Sequence, residues 1–552
     1  MQRKLVGASV CVIVVALAAC GSSKSKGGSS PGTKGGSGGA PSGSVVIANT
    51  QGQTWTCGFN PFNPSTNTVS FGPVYEPLIF VNALKNQATT PMLASAFQWS
   101  SDKKTLTFTI RDGVTWSDGQ PFSADDVLFT FNLMKKHTAL DINAVWAAGL
   151  TSVAKRGTNQ VVLTFRASSE PYFFYVAGQV PIVPQHVWTT GDAAKDPVQY
   201  VDSHPIGTGP FEVNPCNPNL ITYTANTKYW QKGLPHLAKV LYPAYLDNPP
   251  ANLDLANGKA QWGSQYIPNV EKAYVAKDAA NNHIWFPPLV NVSLFFNLKN
   301  SVTGNVSVRK AFAYGINRAD VARVGEGGQQ QAANQSGIVL PTYTDWYDQS
   351  TKNEFAPDAG KAKAALAAAG YSAAKPLRLS VITISGYTDW DASLQEIKQQ
   401  LAPLGIKLEI QDLAQNTFED KLFKGQFDLA YYSLPGGPAP YYELRQLLYT
   451  ANTAPIGQAA SSNYERYSNP TTDGLLDEFA AANDARQHEI IKALSRVMLD
   501  VVPVVPTTES VDWFQYNTKS ISGWPTEQDP YARPSAYEVP DLGVVMARLQ
   551  TK

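Results

Sequence analysis

Carboxylates stand close together at several places in the sequence, and two of these pairs illustrate how they could serve acid–base chemistry. Asp125 lies beside Asp126, and Asp389 is two residues before Asp391. A glycosidase needs two carboxylates roughly 5 to 10 Å apart on rigid elements. The first pair follows Ser123 at a predicted helix start, where capping and the helix dipole explain it. No motif selects a catalytic pair, so we expect no enzyme activity.

Histidine and cysteine, the usual ligands of transition metals, are not grouped in this sequence. The histidines are scattered at positions 137, 186, 204, 236, 283 and 488, and the zinc-peptidase motif H-E-x-x-H is absent. Neither Cys57 nor Cys216 has a Cys or His nearby at ligand spacing. The sequence therefore predicts no metal site and no cofactor.

The first 44 residues are typical of a targeting segment followed by a tether. An uncharged apolar run over 5–19, roughly 15 residues long, is too short for a comfortable bilayer span. It ends in Leu-Ala-Ala before Cys20, which is a lipobox pattern. We predict a signal peptide over 1–19, lipidation of Cys20 and a Gly/Ser-rich tether over 20–44, so that the chain is extracytoplasmic and anchored to the cell membrane by lipid alone. An uncleaved anchor helix is the alternative.

Two further cysteines, Cys57 and Cys216, remain in the predicted mature chain. In an oxidising compartment such a leftover pair invites a disulfide. Pairing needs Cα atoms within about 7 Å, which spacing along the chain does not show. A disulfide and two free thiols both stay open.

Composition and length exclude some classes of protein. Lys plus Arg and Asp plus Glu number 44 each, so no net charge draws the chain to nucleic acid. The roughly 500 residues after the tether exceed one hydrophobic core, which predicts two or more lobes. We expect a monomer that does not bind nucleic acid.

Strands and helices alternate along the predicted mature chain. Residues 105–110 alternate apolar side chains with threonine, as a half-buried strand does, and Ser123 can cap the helix that follows. Asp358 can cap an Ala-rich helix, and an amphipathic helix precedes an alternating strand over 406–410. A further helix is predicted from Asp484. This succession is typical of an α/β protein.

Six stretches, in this order, resemble the family-5 extracellular solute-binding proteins, the dipeptide, oligopeptide and oligosaccharide receptors of ABC importers. They are Leu106–Met134 (LTFTIRDGVTWSDGQPFSADDVLFTFNLM), His204–Trp230 (HPIGTGPFEVNPCNPNLITYTANTKYW), Val308–Arg318 (VRKAFAYGINR), Pro357–Tyr371, Leu394–Leu429 and Tyr467–Asp484. One such match would be weak. Six in register over most of the chain make coincidence implausible.

The resemblance implies an α/β, two-lobed periplasmic-binding-protein-like clamp (type II, cluster C-like), with mixed sheets flanked by helices and lobes joined by two crossover strands. We predict lobe one from 45–290 and 504–552 and lobe two from 291–503, with crossings near 284–296 and 501–507. Hinge closure would bury a small oligomeric solute and shift the population toward the closed form. The implied partners are ABC permease subunits with their cytoplasmic ATPases.

The ligand class follows from a departure from the family pattern. Peptide-binding members commonly hold the ligand α-ammonium with an Asp shortly after the strand that carries the motif FDL, which is 427–429 here. The sequence from 431 to 440 is YYSLPGGPAP, and the next acid is Glu443. A buried ammonium without a counter-charge is costly. Aromatic stretches such as Tyr387–Trp390 resemble the cello-oligosaccharide-binding subgroup, and sugars favour flat aromatics with Asn, Gln and Ser.

We therefore favour an oligosaccharide over a peptide. An oligopeptide or dipeptide, an opine, a metal complex and a peptide-signal receptor remain alternatives, and an extracellular hydrolase is disfavoured. The predicted ligand-binding residues are Asn60, Phe62, Trp262, Trp285, Tyr431, Tyr432, Ser433, Gly436, Gly437 and Trp513. Trp262 and Trp285 rank highest, because each lies near a polar loop beside a predicted crossing or cleft edge; a place in the core is the alternative.

Overall fold

The computed structural model describes residues 40–62, 69–85, 87–147 and 149–552. The predicted signal peptide, Cys20 and most of the tether lie outside these residues. The strands are β1 (Ser44–Ala48), β2 (Ile79–Asn82), β3 (Ala88–Pro91), β4 (Ala94–Trp99), β5 (Thr105–Ile110), β6 (Leu150–Arg156), β7 (Gln160–Phe165), β8 (Phe211–Val213), β9 (Leu220–Ala225), β10 (Lys239–Pro243), β11 (Trp262–Gly263), β12 (Asn282–Ile284), β13 (Pro288–Phe296), β14 (Gln331–Ala332), β15 (Leu377–Ile384), β16 (Ile406–Leu413), β17 (Leu429–Ser433), β18 (Val504–Val511), β19 (Gln515–Asn517), β20 (Ile521–Ser522) and β21 (Gln550–Thr551).

The α-helices flank these strands. They are α1 (Ala124–Lys136), α2 (Gln185–Trp188), α3 (Gly191–Lys195), α4 (Asn248–Ala256), α5 (Val270–Ala273), α6 (Val306–Gly315), α7 (Arg318–Val324), α8 (Ala359–Ala368), α9 (Thr388–Leu401), α10 (Gln415–Lys424), α11 (Pro440–Leu448), α12 (Pro470–Phe479), α13 (Asp484–Val501) and α14 (Asp541–Arg548).

Two large mixed sheets organise the molecule. The seven-stranded sheet has the order β12-β19-β11-β1-β10-β9-β8, and within it β1 runs parallel to both β10 and β11. The six-stranded sheet has the order β14-β18-β13-β17-β15-β16, and within it β15 runs parallel to both β16 and β17. A four-stranded sheet has the order β4-β5-β7-β6, and its strands lie between β1 and β8 in the sequence. The α/β prediction is confirmed.

Local sequence signals agree with these elements. In β5 the residues Leu106, Phe108 and Ile110 are buried while the threonines between them are half-buried. Helix α1 begins after Ser123, whose hydroxyl accepts the Asp125 N–H at 3.2 Å, and Asp126 reaches back to the Ser123 N–H at 2.9 Å. The reciprocal bonds form a capping box. These contacts confirm the predicted strand and helix.

The chain passes between the two large sheets twice. Residues 285–287 lead from β12 into β13, and residues 512–514 lead from β18 into β19. The two segments pair with each other, because the Trp285 N–H donates to the Phe514 carbonyl at 3.0 Å and the Asp512 N–H to the Pro287 carbonyl at 2.9 Å. The sequence placed the second crossing near 501–507. Those residues instead form the end of α13 and the start of β18, which pairs with β13 inside the six-stranded sheet.

Side-chain bonds tie the seven-stranded sheet to the segments that surround it. Cys57 and Cys216 form a disulfide with their Cα atoms 5.5 Å apart. The buried Glu76 carboxylate accepts the Tyr229 hydroxyl at 2.7 Å and the Trp230 indole N–H at 2.9 Å. These contacts join residues that are more than 150 positions apart within the part of the chain before β13.

Within the described part of the chain, no helix has both the length and the apolar character that crossing a bilayer requires.

Candidate functional site

A cavity of about 510 Å³ lies between the two large sheets. This volume is within the usual range of ligand pockets, roughly 300 to 1,000 Å³. Its lining comes from both sheets and from the second passage between them. The parallel strands explain why the chain presents polar side chains there.

The first wall consists of residues that directly follow parallel strands of the seven-stranded sheet. Asn49 and Gln51 follow β1, and Ser264, Gln265 and Tyr266 follow β11, all of them lining the cavity. Carboxyl ends of parallel strands meet at one sheet edge, where open α/β sheets bind their ligands. Strand order thus collects amides and hydroxyls at one place.

Hydrogen bonds fix the orientation of this wall. The Asn49 amide donates to the Tyr242 hydroxyl at 2.7 Å, and the Gln51 amide to the same oxygen at 3.3 Å. Burial raises the Tyr242 pKa above its ordinary value. The phenol therefore stays neutral at pH 7, able to donate as well as accept. The Thr50 hydroxyl donates to the Asn248 side chain at 2.6 Å.

The second wall repeats the arrangement on the six-stranded sheet. Tyr387, Asp389 and Trp390 follow β15, Gln415 follows β16, and Ser433 ends β17. Because β15 is parallel to both β16 and β17, these carboxyl ends meet at the same edge. Two polar sheet edges therefore face one cavity.

Aromatic rings line the cavity on both sides. Trp513 packs edge-on against Tyr266 with ring centroids 5.7 Å apart and against Phe286 at 5.1 Å. On the other side Trp390 packs against Tyr387 at 5.2 Å and Tyr432 at 6.3 Å. Edge-to-face pairs of this kind hold rings in defined positions. Such rings offer flat apolar surfaces to an oligomer.

The charges that line the cavity are mostly compensated. Arg533 makes a bidentate pair with Asp512, at 2.7 and 2.9 Å, and a second ion pair with Glu538 at 2.5 Å. Its backbone N–H donates to Asp541 at 2.8 Å. Among the described lining residues Arg533 is the one cation. It is therefore committed to carboxylates of the protein itself.

One lining carboxylate, Asp389, has no such cation partner among the described residues. Burial raises its pKa to about 6, opposed by backbone hydrogen bonds from the first turn of α9 and by Asn248. At pH 7 it is therefore mainly ionised. Burial and the nearby Asp389 raise the pKa of Glu326 well above its ordinary value.

Hydrogen bonds also cross from one wall to the other. The Asn248 amide, at the start of α4, donates to the Thr388 hydroxyl at the start of α9 at 3.1 Å. The Gln329 amide donates to the Ile267 carbonyl at 2.9 Å. The cavity is thus partly sealed by direct contacts between its two walls.

Five of the ten predicted ligand-binding residues line this cavity: Phe62, Tyr432, Ser433, Gly436 and Trp513. Phe62 also packs edge-on against Trp188 with centroids 5.6 Å apart. A Cβ at Gly436 would lie 2.5 Å from the Val290 side chain, so a larger residue would disturb the wall.

Trp262 does not line the cavity, although it ranked highest. It is fully buried, its indole N–H donates to the Pro534 carbonyl at 2.9 Å, and its ring packs against Trp524. The contacts with Trp524 and Pro534 hold this side chain inside the core. Asn60 is also fully buried, and its amide donates to the carbonyls of Pro197 and Tyr200.

Three more predicted residues, Trp285, Tyr431 and Gly437, are not part of the cavity lining. Trp285 is half-buried on the first passage between the sheets, and its N–H is used in the pairing of the two passages. The fully buried Tyr431 shares a hydrogen bond of 2.9 Å with the Thr507 hydroxyl. A Cβ at Gly437 would lie 2.5 Å from the Tyr442 ring, so this glycine permits close packing.

The sequence reasoning missed most of the polar lining, including Asn49, Gln51 and Gln265, and the aromatic pair Tyr387 and Trp390. The stretch from 387 to 390 resembles the saccharide-binding subgroup, but the resemblance does not indicate that its side chains line the site. A usable signal was present, because each of these residues follows a strand that runs parallel to a neighbour. Recognising it requires the strand order.

Glu443, the first acid after β17, is not a ligand anchor in this structure. Its carboxyl group is buried and accepts the Asn291 backbone N–H at 3.3 Å and the Asn291 amide at 3.1 Å. Burial raises the Glu443 pKa to about 8, well above 4.5. This residue therefore stabilises the fold in its protonated form.

We expect Glu443→Gln to weaken the pH dependence of stability. A folded-state pKa raised above the unfolded value makes the folded chain hold an extra proton, so its stabilisation is lost as pH rises from about 5 to 8, by up to about 1.4 kcal/mol per pH unit. The amide cannot ionise, so urea unfolding of the variant should show a smaller loss between pH 5 and 8. Glu212 is exposed, so Glu212→Gln serves as the control. Its free energy of unfolding should change with pH as that of the wild type does. An unchanged slope in Glu443→Gln would contradict the assignment.

Comparisons with known proteins agree with the geometry. The family model for "Bacterial extracellular solute-binding proteins, family 5 Middle" matches residues 88–455. A Brucella ovis protein provisionally named an ABC transporter peptide-binding protein is 26% identical over 455 residues, which cover 78% of this chain and 82% of that protein.

Solved structures show the same fold. The mannohexaose-bound periplasmic oligopeptide-binding protein of Thermotoga maritima has a TM-score of 0.84 and 26% identity, covering 92% of this chain and 98% of that one. A Bacillus subtilis oligopeptide-binding protein in complex with a nonapeptide has a TM-score of 0.78 and 19% identity, covering 93% and 99%. The chain therefore belongs to family 5 of the bacterial extracellular solute-binding proteins, two-lobed α/β proteins that bind substrates for ABC transporters and are not enzymes.

Proposed function

We propose that this protein captures a short, uncharged oligosaccharide in the cavity between its two sheets and delivers it to an ABC permease. The observation that carries the proposal is the lining itself, which combines rings on both walls with amides and hydroxyls at the ends of parallel strands. Sugars present weakly apolar ring faces and many hydroxyls. This lining matches both features, and its one described cation, Arg533, is already paired with carboxylates of the protein.

The charges of the lining favour a neutral ligand over a short peptide. A zwitterionic peptide brings a carboxylate, and the lining cation Arg533 already pairs with Asp512 and Glu538. It also brings an ammonium, but residues 431–440 contain no acid and the next one, Glu443, is already bound to Asn291. A buried charge without a partner is costly, so a neutral oligomer suits the cavity better.

An oligopeptide is the second candidate, and two observations favour it. The Brucella relative is named as peptide-binding, and Asp389 lines the cavity with no cation partner in the described part of the chain. Longer peptides can also be held through their backbone by strand-like hydrogen bonds. The Thermotoga maritima structure, with mannohexaose bound, favours the saccharide.

The remaining proposals concern how the protein works and where it is held. The two paired passages favour lobe boundaries near 287 and 512, with hinge closure about those segments. Lobe one would then comprise the chain up to residue 287 and from 512 onward, and lobe two the residues between. Lipidation of Cys20 would hold the monomeric protein at the external face of the cell membrane, close to its permease.

A thermal-shift screen tests the ligand class. We expect neutral oligosaccharides such as mannohexaose and cellopentaose to raise the melting temperature, because a ligand at 100 times its dissociation constant adds about 2.7 kcal/mol to folded-state stability. Dipeptides should cause little change.

Size-matched peptides from two to nine residues, with free and with amidated carboxyl ends, complete the screen. Stabilisation by peptides without any response to saccharides would overturn the saccharide proposal and support the peptide candidate. Chemical conversion of a bound solute would contradict the binding role altogether.

A further inference from the structure

Helix α11 and the segment that follows β7 make direct contact through a cluster of buried aromatic residues. We name this cluster the latch; it consists of Tyr441, Tyr442 and Arg445 on α11 and of Pro171, Tyr172 and Tyr175 on the other side. α11 follows β17 of the six-stranded sheet, while 171–175 follows β7 of the four-stranded sheet. The latch therefore spans the two proposed lobes.

Several bonds join the two sides without involving the cavity lining. The Tyr442 hydroxyl donates to the Pro171 carbonyl at 2.8 Å, and the Tyr441 hydroxyl approaches the Tyr172 hydroxyl at 3.4 Å. Nearby, the Ser168 hydroxyl donates to the Ala480 carbonyl at 3.0 Å. These atoms are partly or fully buried, so an open form would have to replace these bonds with bonds to water.

Ring contacts add to the same interface. The Tyr442 ring packs edge-on against Phe174 at 5.1 Å and against Tyr175 at 5.3 Å between centroids. Phe174 in turn lines the cavity. The latch is therefore one side chain removed from the ligand site, and a change in its packing can reach the lining through Phe174.

Arg445 lies between rings of both sides. Its guanidinium carbon is 5.3 Å from the Tyr172 ring centroid and 5.4 Å from that of Tyr175 across the interface, and 5.1 Å from Tyr449. Cation–π attraction favours this position, but desolvation of a buried cation opposes it. Because these two effects oppose each other at Arg445, the hydroxyl of Tyr442 gives the clearer test.

We propose that the latch holds part of the ligand-free protein in the closed form, so that Tyr442 and Tyr172 are positioning residues for ligand binding that do not touch the ligand. This inference rests on the proposed two-lobed function. The contacts are made by protein groups alone, so they contribute to closure before a ligand arrives. Apparent affinity then scales with the closed fraction, and a weaker latch lowers it.

The test replaces Tyr442 by Phe, which removes one hydroxyl and keeps the ring. We expect Y442F to lower the closed fraction of the ligand-free full chain in small-angle X-ray scattering, and to raise the dissociation constant for mannohexaose about three- to tenfold, the loss typical of one hydrogen bond. Stopped-flow kinetics should show faster dissociation. Y172F weakens the same interface from its other side and should act in the same direction.

Y467F is the matched control. The Tyr467 hydroxyl is buried and shares a bond of 2.8 Å with Thr472, within the part of the chain that follows β17. It should alter stability without changing the closed fraction or the dissociation rate.

The latch proposal is overturned if the ligand-free wild type is entirely open. It is also overturned if Y442F and Y172F, like Y467F, keep the wild-type closed fraction and dissociation rate. Absence of mannohexaose binding would count against the proposed ligand, whereas the scattering comparison would still decide the latch.

Discussion

Replacing Trp262 by Ala is expected to lower the free energy of unfolding by about 3 to 5 kcal/mol, the usual loss for a large aromatic removed from a core. The side chain is fully buried, and its indole bond to Pro534 would be lost, leaving that carbonyl without this partner. Urea unfolding followed by circular dichroism measures the loss. The half-buried Trp346, which stacks on His488, is the control, and W346A should cost markedly less.

The same variant separates a core role from a ligand role. If W262A unfolds at nearly the wild-type urea midpoint yet no longer binds saccharide, Trp262 belongs to the site and the placement in the core is wrong. The expected pattern is the reverse, with strong destabilisation and, in the fraction that remains folded, an affinity close to that of the wild type.

Replacing Trp513 by Ala is expected to weaken saccharide binding by about 2 to 4 kcal/mol, roughly 30-fold or more in the dissociation constant. Trp513 lines the cavity and is held edge-on by Tyr266 and Phe286, so it offers a fixed ring surface. Isothermal titration calorimetry with mannohexaose, or with whichever oligosaccharide gives the largest thermal shift, measures the effect.

Conservative changes distinguish a lost ring from a lost fold. W513F keeps a flat ring and should recover part of the affinity, whereas W346A, away from the cavity lining, should bind as the wild type does. Wild-type affinity in W513A would remove Trp513 from the site. A folded W513A that binds peptides and no saccharide would instead redirect the ligand proposal.

The local elements could be predicted because their signals lie within a few residues of one another. The Ser123 hydroxyl and Asp126 carboxylate cap α1 through contacts between neighbours in the chain. The threonines of β5 alternate with buried apolar residues because the side-chain period of a strand is two. Neither feature depends on distant residues, so the sequence shows both.

The sequence places the second crossing near residue 501, but in the structure it lies near residue 512, because β18 first pairs with β13. Pro503 and Pro506 indicate the end of a helix, and α13 does end at Val501. The following strand could have joined either sheet, and its pairing with β13 decides the matter. Long-range pairing of this kind leaves no local mark in the sequence.

By itself, the sequence determined the α/β class, the family and the missing acid between residues 431 and 440, because these depend on residue order and short-range pattern. Only the tertiary structure decided which aromatics meet a ligand. Trp262 and Trp513 are equally aromatic in sequence, yet contacts with Trp524 and Pro534 bury the first, whereas the passage from β18 to β19 brings the second to the cavity. Whether a side chain faces core or cleft depends on its spatial neighbours, and the order of strands in a sheet determines those.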